Sequence, residues 1–248
     1  MVTIKSKAEI EKMRVAGKIT GDALREIEKH IKPGVSTLEL DKLAYDFIKK
    51  RGATPSFLHY NGFPGSICAS LNSWVVHGIP SKNVVLKEGD IISIDMGAQK
   101  DGYHGDAART YAVGKISDEA KKLIDVTERS FFEGIKYATH GAKLGDVSSS
   151  IQEYVESNGF SVVRDLVGHG IGKNLHEDPN VPNYGHKGKG LRLAAGMTIA
   201  VEPMVNVGKC DVVVLDDDWT IETEDGSLSA HYENTVLITQ GECEILTL

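Results

Sequence analysis

One spacing governs this chain: residues 107 positions apart keep matching. Gly34 answers to Gly141, Gly52 to Gly159, Gly89 to Gly196 and Asp95 to Glu202. The segments GDIISID and GMTIAVE align at that offset, each with a carboxylate six residues after its glycine. Later, Asp101-Gly102 ahead of Asp106 is echoed by Asp225-Gly226 ahead of Glu233, with a few residues inserted. Four matches at one offset, in one order, predict two similar halves, each helix, helix, then strands. Their strands are expected to merge about a pseudo-twofold axis into one sheet with the helices outside, burying a common core. The halves fall at about 6–116 and 117–248 of a single domain, and the fold class is α+β.

The helical text agrees. Ile10, Met13, Ala16, Ile19, Ala23, Leu24, Ile27 and Ile31 recur at three and four residues, predicting a helix from Ser6 to Ile31. Lys32-Pro33-Gly34 stops it, and Ser36 or Thr37 caps a second helix to about Lys50. In the second half, helices are predicted from Asp118 to about Tyr137, and from Gly141 and Asp146 to about Ser157. Extended segments are predicted over 66–80, 161–167, 198–207, 211–214, 219–223 and 231–239. Between the halves' helical parts, 91–114 reads as a hairpin with Gln99-Lys100-Asp101-Gly102 at its turn. Centring the turn between Lys100 and Asp101 sets Asp95 opposite Asp106, with Cβ atoms ~4.5–5.5 Å apart. Two carboxylates that close call for a proton or a cation between them. On this stretch alone, an acidic solvated hairpin accounts for the same residues.

The repeat sharpens the choice. Each half contributes a carboxylate pair, Asp95 with Asp106 and Glu202 with Glu233, and a twofold axis brings the four together. Buried carboxylates without a partner cost several kcal/mol per ion. Divalent cations resolve this: an all-oxygen site suits Mn²⁺ or Mg²⁺, and one imidazole moves the preference toward Fe²⁺, Co²⁺ or Zn²⁺. Composition fits a globular protein, 41% hydrophobic and 25% charged, and the net charge of −7 argues against non-specific nucleic-acid binding. The polar start and the lack of an apolar run near ~20 residues predict neither a secretion signal nor a membrane span. Three scattered cysteines, Cys68, Cys210 and Cys243, without a CxxC, point to a reduced cytoplasmic setting.

Among nine histidines, His30, His59, His140 and His186 read as surface residues. His104 shares a face with Asp106, but two residues of strand separate them by ~6.8 Å. His104 is thus expected to support the structure or the site rather than hold a metal, and His231 stands in the same relation to Glu233. His77, in VVHGIP, reads alone as a structural histidine. His169 and His176 sit in VGHGIGKNLHEDPNVPNY, where small residues beside His169 allow close backbone approach. That stretch is neither a Walker loop, nor GxGxxG, nor HExxH: Val167, Lys173 and Asn180 break the three patterns.

Taken together, GHGIGKNLHEDPNVPNY, VVHGIP, the ID…GDAAR pair, AVEP and HYENT resemble the type I methionine aminopeptidases, which have the pita-bread fold: a curved antiparallel sheet flanked by helices. The resemblance covers essentially the whole chain. Three positions depart from it: Leu166 where an aromatic or methionine is usual, Val76 where cysteine is common, and His231 where glutamine is frequent. The resemblance implies two divalent ions (Co, Mn, Fe or Zn) held by Asp95, Asp106, His169, Glu202 and Glu233, with Asp106 and Glu233 bridging. It implies a nucleophilic water or hydroxide between the ions, Glu202 as general base, His176 at the oxyanion and His77 near the scissile amide. Tyr60, Cys68 and Trp219 are implied as walls of a methionine pocket. The implied reaction is removal of the initiator methionine from nascent chains whose second residue is small. The implied setting is a cytoplasmic monomer that contacts the ribosome transiently, with no nucleic-acid specificity and no membrane. An X-Pro aminopeptidase or prolidase shares the carboxylate set but carries an added N-terminal domain; the type II methionine enzymes carry an inserted helical region; an inactive peptide-binding relative would lack ligands.

Overall fold

The computed structural model describes residues 2–248. Two helices come first, α1 (Lys7–Glu28) and α2 (Thr37–Lys50). Each starts in a reciprocal cap. The Ser6 and Ser36 hydroxyls accept from the N–H of Glu9 and Glu39, and each glutamate accepts the serine backbone N–H at 2.8 Å. Short strands β1 (Thr54–Pro55), β2 (Cys68–Leu71) and β3 (Trp74–Val76) lead to the hairpin β4 (Ile91–Lys100) and β5 (Tyr103–Ala112). The second half repeats the order with α3 (Asp118–Ile135) and α4 (Leu144–Ser157). Then come β6 (Ser161–Val162), β7 (Gly168–Gly170), β8 (Glu177–Val181) and β9 (Thr198–Val201). A ribbon of β10 (Met204–Asn206), β11 (Val212–Val214), β12 (Ile221–Thr223) and β13 (Ser229–His231) precedes β14 (Glu233–Leu237) and β15 (Glu244–Ile245).

The main antiparallel sheet runs β1-β4-β5-β14-β9-β7-β8, with β2 also on β4 and β15 also on β14. One helix pair covers each side of the seam. Leu24, Ile27, Leu40 and Ile48 pack on Ile92, Ile94 and Met96. Leu123, Phe131, Val147 and Ile151 pack on Ile199, Val201 and Val236. Backbone bonds recur 107 residues apart. Gly34 donates to Leu86 as Gly141 does to Leu193, both at 2.8 Å; Thr37 donates to Val84 at 2.9 Å and Leu144 to Leu191 at 2.8 Å. Gly34 and Gly141 share a left-handed φ, 91° and 88°. We read the two halves as one motif used twice.

The hairpin register differs from expectation. Its turn is Asp101-Gly102, both at positive φ (51° and 79°), as a two-residue turn that follows the strand twist requires. Lys100 therefore pairs with Tyr103, Asp95 lies opposite Ala108, and Asp106 lies opposite Gly97. The aspartates are diagonal neighbours on one face rather than directly opposed. Gly168–Gly170 and Glu177–Val181 are strands where none was expected, while the run expected over 161–167 is regular only at Ser161–Val162.

Helix α1 touches the sheet through glycine. A Cβ on Gly105 would lie 2.6 Å from the Cα of Gly17, and neither backbone has room to yield. Gly105→Ala is expected to cost about 1–3 kcal/mol of stability in urea unfolding. Gly241→Ala, with open space around it, is expected to stay within about 0.5 kcal/mol.

Candidate metal centre and substrate pocket

The register assembles an acidic row across the sheet. Cys68 pairs with Asp95, Asp95 with Ala108, and Ala108 with Glu233. Paired residues share a face, so Ala108 leaves a shallow place between two carboxylates. Asp106 lies two residues from Ala108 on that face. Glu202 follows Val201, the partner of Asn234, and so arrives beside Glu233. Asp106 and Glu233 are 3% and 2% exposed. Among the described residues, Asp95 Oδ1, Asp106 Oδ1 and Glu233 Oε1 are buried with no hydrogen-bond partner. Burial, then mutual repulsion, holds Asp95, Glu202 and Glu233 well above the usual carboxylate range, and burial lifts Asp106 to about 7.

His169 enters from β7. Glycine stands on both sides because a Cβ on Gly168 would strike Ala200 O and one on Gly170 would strike Asp178 O. The His169 Nδ1–H donates to Gly170 O at 2.8 Å, which turns the bare Nε2 to the carboxylates. That nitrogen lies 3.6 Å from Glu202 Oε1 and 3.9 Å from Asp106 Oδ2. Burial lowers its pKa to about 3, so the ring stays neutral. Donor atoms of Asp106, His169 and Glu233 lie within 4.8 Å of one another, as do those of Glu202, His231 and Glu233. Asp95 stands outside both triads. Buried carboxylate oxygens without partners, plus imidazole nitrogen, make a donor set that fits divalent cations.

A cavity of about 270 Å³ opens onto these groups. Tyr60, Phe63, Cys68, His77, His176 and Trp219 line it with Asp95, Asp106, His169, Glu202 and Glu233. Tyr60 Oη lies 3.0 Å from His176 Nδ1, and the His176 ring packs edge-on against His169 with centroids 4.2 Å apart. Trp219 packs edge-on against Phe63 at 5.1 Å and His77 at 6.4 Å. Asp217 fixes it, accepting the N–H groups of Trp219 and Thr220 at 2.9 and 2.7 Å. Burial, then the nearby His176, takes His77 down to about 4. The sequence expectations for Tyr60, Cys68, His77, His176 and Trp219 all land on this cavity. His104 instead turns to Ser56 Oγ, 2.8 Å from its Nδ1, and to Gln99. His231, expected to support the structure or the site rather than hold a metal, lies against the acidic cluster, its Nε2 3.8 Å from Glu202 Oε2 and 3.9 Å from Glu233 Oε2.

The buried charges set a pH dependence for the metal-stripped protein. The four carboxylates keep their protons in the fold to higher pH than in the unfolded chain, where they titrate at about 4. Folding therefore takes up protons there, and stability falls as pH rises. Below about 6.5 the histidines oppose this, because His77 and His104 (about 4) and His169 and His231 (about 3) stay neutral in the fold while unfolded imidazole charges. Above that pH the carboxylates act alone. Melting of the stripped protein is expected to move down steadily from pH 6.5 to 8, and excess Mn²⁺ is expected to abolish the trend. A flat or rising profile without metal contradicts the buried acidic cluster.

The sequence profile of metallopeptidase family M24 matches residues 11–240. A methionine aminopeptidase of Clostridium acetobutylicum is 61% identical over 248 residues, covering 100% of this chain and 99% of its own. The crystal structure of a methionine aminopeptidase from Thermotoga maritima superposes with a TM-score of 0.98 at 50% identity, covering 100% of this chain and 99% of that one. An Xaa-Pro dipeptidase from Bacillus anthracis shares the fold with a TM-score of 0.80 at 26% identity, but the match spans only 61% of its length. The chain therefore belongs to metallopeptidase family M24, with the pita-bread fold, in its type I methionine aminopeptidase branch.

Proposed function

We propose that this chain is a divalent-metal-dependent aminopeptidase that removes the initiator methionine from polypeptides with a small second residue. The observation that carries the reading is the apolar cavity of about 270 Å³ ending on buried, unpartnered carboxylate oxygens. Asp95, Asp106, His169, Glu202 and Glu233 would hold two divalent ions. When bound, the ions supply Lewis-acid charge that makes a water nucleophilic near neutral pH.

The remaining steps belong to side chains. Glu202 takes the proton of the attacking water and passes it to the leaving amine. His176 stabilises the carbonyl oxygen as negative charge develops there. His77, beside Trp219, contacts the scissile amide. Tyr60, Cys68 and Trp219 enclose the methionine side chain, and aromatic edges suit its thioether. Such a cavity discriminates by about 1–3 kcal/mol per methylene. The substrate's free amine meets the acidic floor, which accounts for action at the N-terminus. We take the substrates to be nascent chains in the cytoplasm, met by a monomer in brief contact with the ribosome. The X-Pro reading is disfavoured by likeness, since the methionine enzyme superposes with a TM-score of 0.98 at 50% identity and the Xaa-Pro dipeptidase with 0.80 at 26%.

The test is hydrolysis of Met-Gly, Met-Lys and Ala-Pro peptides by stripped protein before and after Mn²⁺ or Co²⁺. Metal-dependent methionine release from the Met-Gly peptide alone is expected; cleavage of Ala-Pro instead moves the enzyme to the X-Pro branch. Asp106→Ala is expected to lose metal and activity together. His176→Ala is expected to bind metal normally and to lose about 10²–10³ in kcat. Loss of metal in that variant contradicts the oxyanion role.

A further inference from the structure

His231 is the least explained polar group in the molecule. It is 1% exposed at the end of β13, and among the described residues neither ring nitrogen has a hydrogen-bond partner. Native proteins rarely leave such groups unsatisfied. Its Nε2 lies 3.8 Å from Glu202 Oε2 and 3.9 Å from Glu233 Oε2. Both separations exceed the 2.7–3.2 Å of an N–H···O bond, so the nitrogen is not donating to either carboxylate. They fall inside the span of two ligands on one ion, which at ~2.0–2.2 Å each are at most about 4.4 Å apart.

The spacing repeats that of His169, whose Nε2 lies 3.6 Å from Glu202 Oε1 and 3.9 Å from Asp106 Oδ2. Glu202 thus stands between two imidazoles, one facing each carboxylate oxygen. We propose that His231 is a second imidazole ligand of the metal centre, giving Nε2 to the ion that Glu202 and Glu233 hold. The inference rests on the metallopeptidase reading and deepens it. The imidazole proton then resides on Nδ1. The ring also borders a second cavity of about 260 Å³, lined by Arg109, Thr110 and Tyr111 and roomy enough for ordered solvent. Two nitrogens in place of one favour Fe²⁺, Co²⁺ and Zn²⁺ over Mn²⁺ and Mg²⁺.

The experiment counts imidazoles directly. Metal-stripped full-length protein is loaded with Co²⁺, and proton NMR reads the paramagnetically shifted, solvent-exchangeable imidazole N–H signals. Two such signals are expected from the wild type at full loading, and one from His231→Gln and from His231→Asn. Calorimetric Co²⁺ affinity is expected to fall by about ten- to a hundredfold in His231→Gln, and Mn²⁺ affinity by less. A single shifted N–H in the loaded wild type overturns the assignment without variants and leaves the peptidase reading intact if Met-Gly is cleaved. Unchanged Co²⁺ affinity and an unchanged signal count in folded His231→Gln also overturn it. Wild-type protein that takes up no Co²⁺ at all overturns this inference and the metallopeptidase reading together.

Discussion

Four carboxylates packed on one sheet face are the interaction to which everything else is fitted. Removing ionised carboxylates from water costs several kcal/mol each, and their mutual repulsion adds to that. The surroundings make them rigid without neutralising them. Arg109 donates to Glu233 O at 2.6 Å and to Asn234 Oδ1 at 2.7 Å, with its guanidinium over the Tyr232 ring at 4.2 Å. Thr235 Oγ1 accepts the Asp106 N–H at 2.9 Å and donates to Asp106 O at 3.0 Å. Both clamps grip the backbone beside the cluster and leave carboxylate oxygens bare. A site built that way is preorganised for cations and unstable in their absence.

Where the halves agree, they supply the acidic floor; where they differ, they supply the pocket. Strands β4 and β5 join through two residues, Asp101 and Gly102. Their counterparts β9 and β14 are separated by 202–232, which carries the β10–β13 ribbon, Trp219 and His231. His77 likewise comes from the segment before β4, and His169 and His176 from the segment before β9. Each half thus places a carboxylate pair near the β5–β14 seam, and the segments in which the halves differ carry the residues that line the cavity.

Legibility followed the range of the interactions. Helix α2 could be read to within a residue because its serine cap, its buried stripe and its Arg51-Gly52 stop are all local. The carboxylates were legible because the repeat exposes them. The hairpin register failed by one residue per strand because Asp-Gly was placed at the flank of the turn instead of its centre. The face survived because both strands shifted together, keeping Asp95 and Asp106 in phase. Strand β7 was hidden: glycines argue against a strand, and the reason for them is the neighbouring backbone at Ala200 and Asp178. His231 was judged by its distance along one strand from Glu233, whereas the fold also sets its Nε2 3.8 Å from Glu202 Oε2, a closeness that spacing along one strand does not reveal.

The same division appears in the backbone. Of the six non-glycine residues at positive φ among those described, four lie at the cavity walls: His59 and Asn61 flank Tyr60, His77 is itself a wall residue, and Asp218 precedes Trp219; the other two, Asn72 and Asp101, lie in the β2–β3 and β4–β5 turns. Such conformations cost about 1–3 kcal/mol each and persist only where the surroundings over-determine them. Here the surroundings do so. The segment bearing His176 is held by the buried Lys5–Glu177 ion pair at 2.6 Å and by the His104 N–H donating to Gly172 O at 2.9 Å. The Asp217 carboxylate holds the turn before Trp219. Four of the six positions thus sit in the walls, which must match a side chain, while Asp95, Asp106, His169 and Glu233 rest on strands. Ions tolerate only small errors in ligand position, and a hydrogen-bonded ladder holds position better than a loop does.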